Sequence, residues 1–127
     1  MYDLHFDPGE RVLYIRMHGF WSAELLARFG AEVFAAGARI REQHDGFAIL
    51  TDARACPVQS GEVAAGLHDL SLRSAAMNPA PIATVVSSAL VALQGRRVLT
   101  PSNYRVFVDY GEALAWIDAA WVRRDAA

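Results

Sequence analysis

The chain has 127 residues, of which 54% are hydrophobic and 20% are charged, and its formal net charge is −2. This composition predicts one domain over residues 1–127 with a packed core and excludes a disordered chain. The slightly acidic balance lacks the basic surface of a nucleic-acid binder, so no nucleic-acid partner is expected.

The first third of the chain predicts a strand hairpin followed by a helix. Residues 2–6 and 11–19 have the composition of two antiparallel strands around a turn at residues 7–10. Ser22 is a suitable N-cap for a helix that extends to about His44. The apolar residues of this segment recur at helical spacing: Leu26, Phe29, Val33, Ala36, Gly37 and Ile40.

Two short apolar runs in the middle of the chain predict buried strands, Phe47–Asp52 and Ile82–Ser87. The residues between them include a loop with a proline and then a helical segment. Ser60 can cap this second helix, which is predicted over about Gly61–Met77.

The last third predicts a third helix, a strand and a final helix. Ser87 or Ser88 can cap the third helix, which would end at about Leu99. The strand covers Tyr104–Val108, and Asp109 can cap the final helix, with a glutamate at capping-box spacing three residues later.

The predicted order of elements is β-β-α-β-α-β-α-β-α. Alternation of this kind indicates an α/β fold with parallel strands and right-handed crossovers. We expect a single-layer, mixed, mostly parallel five-stranded sheet with helices packed on it and an antiparallel strand at one edge.

The final stretch, Tyr104–Ile117, resembles the last strand and helix of stand-alone STAS domains of the SpoIIAA-like group, which are related to anti-sigma-factor antagonists. The hairpin that ends at Gly19, the strand that ends at Asp52 and the strand Ala83–Ser87 are similar to the same group, and the resemblance covers most of the chain. It implies a STAS fold. Members of the wider family bind protein partners, and some bind nucleotides or small anions. Related lipid-transfer folds of the CRAL-TRIO type hold hydrophobic ligands.

One motif departs from the pattern of that family. Classical antagonists carry Asp-Ser-Ser-Gly at the start of the helix that follows the third strand, and a serine of this motif is phosphorylated. The matching stretch here is Val58–Gly61, in which Gln59 stands at the phosphoacceptor position. The resemblance therefore does not extend to the phosphorylation switch.

Ligands and partners of open parallel sheets gather at the carboxyl ends of the strands. The candidate partner- or ligand-binding residues are the polar side chains predicted there: His18, Asp52, Arg54, Ser60, Ser87, Ser88 and Tyr110. The competing interpretation is that these residues only cap helices and close turns.

No residue cluster has a catalytic or metal-binding pattern. The candidate serines lie outside Gly-x-Ser-x-Gly, and the four histidines lack the spacing of a metal site. No catalytic residue, metal or cofactor is therefore expected.

The single cysteine and the amino-terminal residues bear on the cellular compartment. Cys56 cannot form a disulfide within the chain, which fits a reducing compartment. Acidic residues stand where a signal peptide would be basic and then apolar, and the apolar runs are far shorter than the roughly 20 residues of a membrane span. The sequence predicts a cytoplasmic protein without a membrane span.

These features favour a non-enzymatic, STAS-like regulatory module that binds a protein partner in bacterial signalling. The alternative is a carrier or sensor of a lipid or another small apolar ligand. It would use the small-residue side of the first helix or the aromatic side chains of Phe107, Trp116 and Trp121, although the same residues fit a packed core. A small enzyme acting at the strand ends and a homodimer stay open.

Overall fold

The computed structural model of the protein describes residues 1–88 and 102–126, with side chains described as far as Trp121. Five strands and three helices lie in these residues. The strands are β1 (Tyr2–Asp7), β2 (Val12–His18), β3 (Ala48–Ala55), β4 (Ile82–Val85) and β5 (Tyr104–Phe107). The helices are α1 (Ala23–Gln43), α2 (Gly61–Met77) and α3 (Tyr110–Ala126). The additional helix predicted to end at about Leu99 falls mostly outside the described residues.

The five strands form one sheet in the order β1-β2-β3-β4-β5. β1 pairs with β2 in antiparallel orientation, and the other three pairs are parallel. The predicted α/β fold with a mostly parallel sheet and an antiparallel edge strand is thereby confirmed.

The caps predicted at Ser22, Ser60 and Asp109 form, whereas the helix that Ser87 or Ser88 would cap lies outside the described residues. The side chain of Ser22 accepts a hydrogen bond from the backbone N–H of Leu25 at 3.1 Å, and that of Ser60 accepts one from Val63 at 3.3 Å. Asp109 Oδ1 accepts one from Glu112 at 2.9 Å. These bonds satisfy backbone donors that have no partner inside the helix, which is why the helices begin where polar residues stand.

The predicted end of β3 was wrong. The strand continues beyond Asp52 to Ala55, because Ala55 still pairs with His18 of β2. The register between β2 and β3 shifts at this point, so that three steps along β3 match two along β2. Asp52 and Arg54 therefore lie within the strand, and burial on both faces applies only to its first half.

Helices cover both faces of the sheet. α1 and α2 cover one face, where the buried core includes Leu13, Ile15, Trp21, Phe29, Val33, Ile40, Phe47, Ile49, Val63 and Ile82. α3 covers the other face, where the core includes Val12, Leu50, Val85, Phe107, Ile117 and Trp121. The alternation of side chains along each strand separates the two cores.

α3 packs mainly over β3, β4 and β5. Phe107 and Trp121 are buried in its core, as the packing interpretation expected, whereas Trp116 is half-buried beside the Phe107 ring at 5.7 Å. On this same face, no described helix packs over the outer strands β1 and β2 to a comparable extent. A recess results beside α3.

Within the described residues, no helix has the length and apolarity needed to cross a membrane.

Candidate functional site

Three of the residues predicted from sequence come together on the α3 face of the sheet. Asp52 and Arg54 project from β3, and Tyr110 stands at the first position of α3. The other four do not line this recess. His18 ends β2, Ser60 precedes α2, and Ser87 and Ser88 follow β4.

Asp52 and Arg54 form a two-point ion pair. Arg54 Nε donates to Asp52 Oδ1 at 2.9 Å and Arg54 Nη2 donates to Asp52 Oδ2 at 2.8 Å. The backbone N–H of Arg54 also donates to Asp52 Oδ1 at 3.1 Å, beside the shift in strand register. The fork geometry of guanidinium and carboxylate fixes both side chains. It also holds the pKa of the Asp52 carboxyl below its ordinary value.

Tyr110 completes this group. The guanidinium of Arg54 lies over the Tyr110 ring, with 4.9 Å between the Arg54 Cζ atom and the ring centroid. Burial raises the pKa of Tyr110, and the charge of Asp52 raises it further. The phenol therefore stays protonated at neutral pH and remains a hydrogen-bond donor.

These three residues form one side of a recess of about 400 Å³. Its other lining residues include Asp3 and His5 of β1, and Tyr14 and Arg16 of β2, none of which the sequence analysis selected. The strand register explains their meeting, because Asp3 pairs with Arg16 and Arg16 pairs with Asp52. In the sequence, the polar residues that alternate along the first two strands were the signal that these side chains share one face of the sheet.

A second feature lies at the carboxyl edge of the sheet, where Gln59 joins two loops. Gln59 Oε1 accepts a hydrogen bond from the backbone N–H of Trp21 at 2.7 Å, and Gln59 Nε2 donates to the carbonyl of Gly19 at 3.0 Å. The same Nε2 donates to the carbonyl of Pro57 at 2.9 Å. Gly19 has a φ of 83°, a conformation that favours glycine. We call this arrangement the Gln59 clamp.

Two large apolar side chains adjoin the Gln59 clamp and face solvent. Phe20 stands between the two residues that Gln59 bonds in the first loop, and its exposed fraction is 60%. Val58 directly precedes Gln59 and is 86% exposed. We call Phe20 and Val58 the edge patch. The edge patch could not be predicted from the sequence, since the exposure of single apolar residues in loops has no periodic pattern.

The remaining predicted residues have structural roles or border this edge. Ser60 caps α2, and the His18 carbonyl accepts a hydrogen bond from the indole of Trp21 at 3.0 Å. The His18 side chain and Ser87 are exposed, while Ser88 is half-buried. The capping interpretation thus holds for Ser60.

The described residues contain no group of three His, Cys, Asp or Glu side chains that could hold a metal ion. Burial raises the pKa of the Cys56 thiol, and the charge of Asp52 raises it further, which disfavours a reactive thiolate. The small recess between α1 and α2, beside Gly37 and Phe47, has a volume of only about 10 Å³. That volume holds no acyl chain.

The strand order and the helices on the sheet correspond to a SpoIIAA-like fold. The chain is similar to the crystal structure of an uncharacterised DUF3478-family protein with this fold from Shewanella loihica PV-4. The identity is 18%, the TM-score is 0.67, and 92% of each chain is covered. It is also similar to an anti-sigma factor antagonist from Mycobacterium paratuberculosis, at 11% identity and a TM-score of 0.62, over 92% of this chain and 94% of that chain. No protein-family model and no curated protein matches the sequence.

Proposed function

We propose that the protein is a non-enzymatic regulatory module of the bacterial cytoplasm that binds a protein partner through the carboxyl edge of its sheet. The edge patch carries the proposal, because it exposes Phe20 and Val58 on two adjoining loops. Exposed apolar groups that cluster mark protein interaction sites, and aromatic side chains are enriched among the residues that dominate binding energy. The similarity to an anti-sigma factor antagonist supports a regulatory role.

The Gln59 clamp makes the edge patch suitable for binding. Its three hydrogen bonds hold both loops in one arrangement before a partner arrives. Loops that are ordered in advance lose less conformational entropy when they bind. Gln59 also occupies the position where the family resemblance places a phosphorylated serine. We therefore propose that partner binding at this edge is independent of phosphorylation at residue 59.

Four of the residues predicted from sequence form a polar rim around the edge patch in this proposal. His18 and Ser87 are exposed at the ends of β2 and β4, and the Asp52–Arg54 pair lies in the strand between them. A polar rim around an apolar centre is the common composition of protein interfaces. The rim would set the orientation of the partner, while Phe20 and Val58 would supply most of the affinity.

Substitution of the edge patch tests this proposal. Chemical crosslinking in source cells followed by mass spectrometry would identify a partner, which would then be purified for calorimetric titration. We expect the double variant Phe20→Ser with Val58→Ser to bind that partner at least about tenfold more weakly, a loss of about 1.4 kcal/mol. Circular dichroism should show an unchanged fold.

Met77→Ser is the matched control, because Met77 is also a large apolar residue, 57% exposed, but lies at the end of α2. It should bind the partner as the parent protein does. The proposal fails if the double variant also keeps the parent affinity, or if Met77→Ser weakens binding to the same extent.

A further inference from the structure

The recess beside α3 contains two opposite charges in neighbouring positions. Asp3 of β1 and Arg16 of β2 are direct partners in the antiparallel register, and both line the recess. Direct cross-strand partners have Cβ atoms only about 4.5–5.5 Å apart. A carboxylate and a guanidinium are thus presented side by side in this open recess of about 400 Å³.

Neither of these two side chains is held by a direct contact, although the charge of Arg16 helps to lower the pKa of the Asp52 carboxyl. Among the described residues, neither Asp3 nor Arg16 makes an ion pair or a side-chain hydrogen bond. Asp52 and Arg54, in contrast, already satisfy each other through two hydrogen bonds. The recess therefore offers one carboxylate and one guanidinium beside a pair that is internally neutralised.

The charge balance selects the kind of ligand. The charged lining residues Asp3, Arg16, Asp52 and Arg54 have formal charges that cancel. A polyanion such as a nucleotide would meet the repulsion of two carboxylates, and a simple cation would meet two guanidinium groups. A molecule that carries an adjacent carboxylate and ammonium group complements Arg16 and Asp3 together.

The remaining walls accommodate an apolar or aromatic group. Tyr14 and Leu50 line the recess from β2 and β3, and Tyr110 lines it from α3, with the Arg54 guanidinium over its ring. Tyr14 Oη donates a hydrogen bond to Glu10 at 2.9 Å, which fixes the ring in place. The volume falls within the roughly 300–1,000 Å³ that is usual for small-molecule sites.

We propose that this recess binds a free α-amino acid with an apolar or aromatic side chain. Its carboxylate binds Arg16, its ammonium group binds Asp3, and its side chain lies between Tyr14 and Tyr110. This site lies on the α3 face of the sheet and uses none of the residues of the Gln59 clamp, although the Asp52–Arg54 pair borders both this recess and the edge patch.

Isothermal titration of the full chain with L-phenylalanine and L-leucine tests the site. N-acetyl-L-phenylalanine lacks the ammonium charge, and L-phenylalaninamide lacks the carboxylate, so each removes one of the two charged contacts. We expect saturable binding of at least one of the free amino acids and at least about tenfold weaker binding of both analogues, as for the loss of a charged hydrogen bond.

Substitutions distinguish this recess from other surfaces. Arg16→Gln and Asp3→Asn should each weaken amino-acid binding at least about tenfold. Both side chains are exposed, so the fold should tolerate these changes. Arg28→Gln, on the exposed side of α1, is the control and should change nothing. The proposal is overturned if neither amino acid binds at millimolar concentration, if the analogues bind equally well, or if both recess variants bind like the control.

Discussion

The amide of Gln59 joins loops that are about 40 positions apart in sequence, and this contact has a measurable energetic consequence. Gln59→Ala removes the partner of the Trp21 N–H and of the Gly19 and Pro57 carbonyls. A part-buried polar group left without a partner costs about 1–3 kcal/mol, so we expect the free energy of unfolding in urea to fall by about that amount.

Gln43→Ala is the control for that substitution, since Gln43 is exposed at the end of α1. It should change the free energy of unfolding by no more than about 0.5 kcal/mol. Equal effects of the two substitutions would show that the Gln59 clamp contributes nothing to stability.

The Asp52–Arg54 pair should be visible in a pH titration. The guanidinium holds the pKa of the Asp52 carboxyl below its ordinary value of about 3.9. A folded-state pKa that is lower than the unfolded-state pKa adds stability above the unfolded pKa, and this is lost as the pH falls through the folded pKa. Arg54→Ala should therefore raise the pKa of Asp52, as measured by carboxyl-carbon NMR. An Asp52 pKa that stays depressed in Arg54→Ala would assign the shift to the backbone hydrogen bond and the charge of Arg16 instead.

The first turn of α3 depends on one carboxylate. Asp109 accepts the N–H of Glu112 at 2.9 Å, and a negative charge at this end also suits the helix dipole. Asp109→Ala should lower the free energy of unfolding by about 1 kcal/mol, measured in urea. Asp118→Ala provides the comparison, because Asp118 is exposed within the same helix. The capping role is refuted if both substitutions have the same effect.

Helices and caps could be predicted from the sequence because their signals are local. The bounds of α2, Gly61–Met77, coincide with the prediction, and Ser22 and Ser60 cap the helices as expected. The end of β3 could not be predicted in the same way. Its last residues are extended because they pair with β2 across a shift in register, and that pairing depends on residues far away in sequence.

The candidate site was predictable to a similar extent. Asp52, Arg54 and Tyr110 were selected because strand ends and helix starts meet at one edge of a parallel sheet. Asp52 and Arg54 instead lie within β3, and all three residues line the recess on the α3 face. Asp3 and Arg16 were missed, since only the register of the hairpin shows that they are neighbours. Their polar positions alternate with apolar ones, a pattern that is typical of a sheet with one exposed face but does not reveal a recess.

At the scale of the whole molecule, the described residues form two separate cores that share one sheet. Trp21 lies in the core beneath α1 and α2, and Trp121 lies in the core beneath α3, where its indole donates to the carbonyl of Glu10 at 3.1 Å. Because the same strands supply side chains to both cores, loss of packing on one face should disrupt the other. We propose on this basis that the chain unfolds as one domain.

Two single-tryptophan variants report on the two cores separately. One keeps Trp21 and the other keeps Trp121, with phenylalanine at the remaining tryptophan positions. In each variant, the fluorescence and far-UV circular dichroism transitions in urea should coincide. Ile82→Val alters the core around Trp21. It should then lower the free energy of unfolding that is measured by Trp121 fluorescence by about 0.5–1.5 kcal/mol. Ile117→Val makes the matched change in the α3 core and should shift the Trp21 transition in the same way. If each substitution moves only the transition of the tryptophan on its own face, the two cores unfold independently and the proposal of a single cooperative domain is wrong.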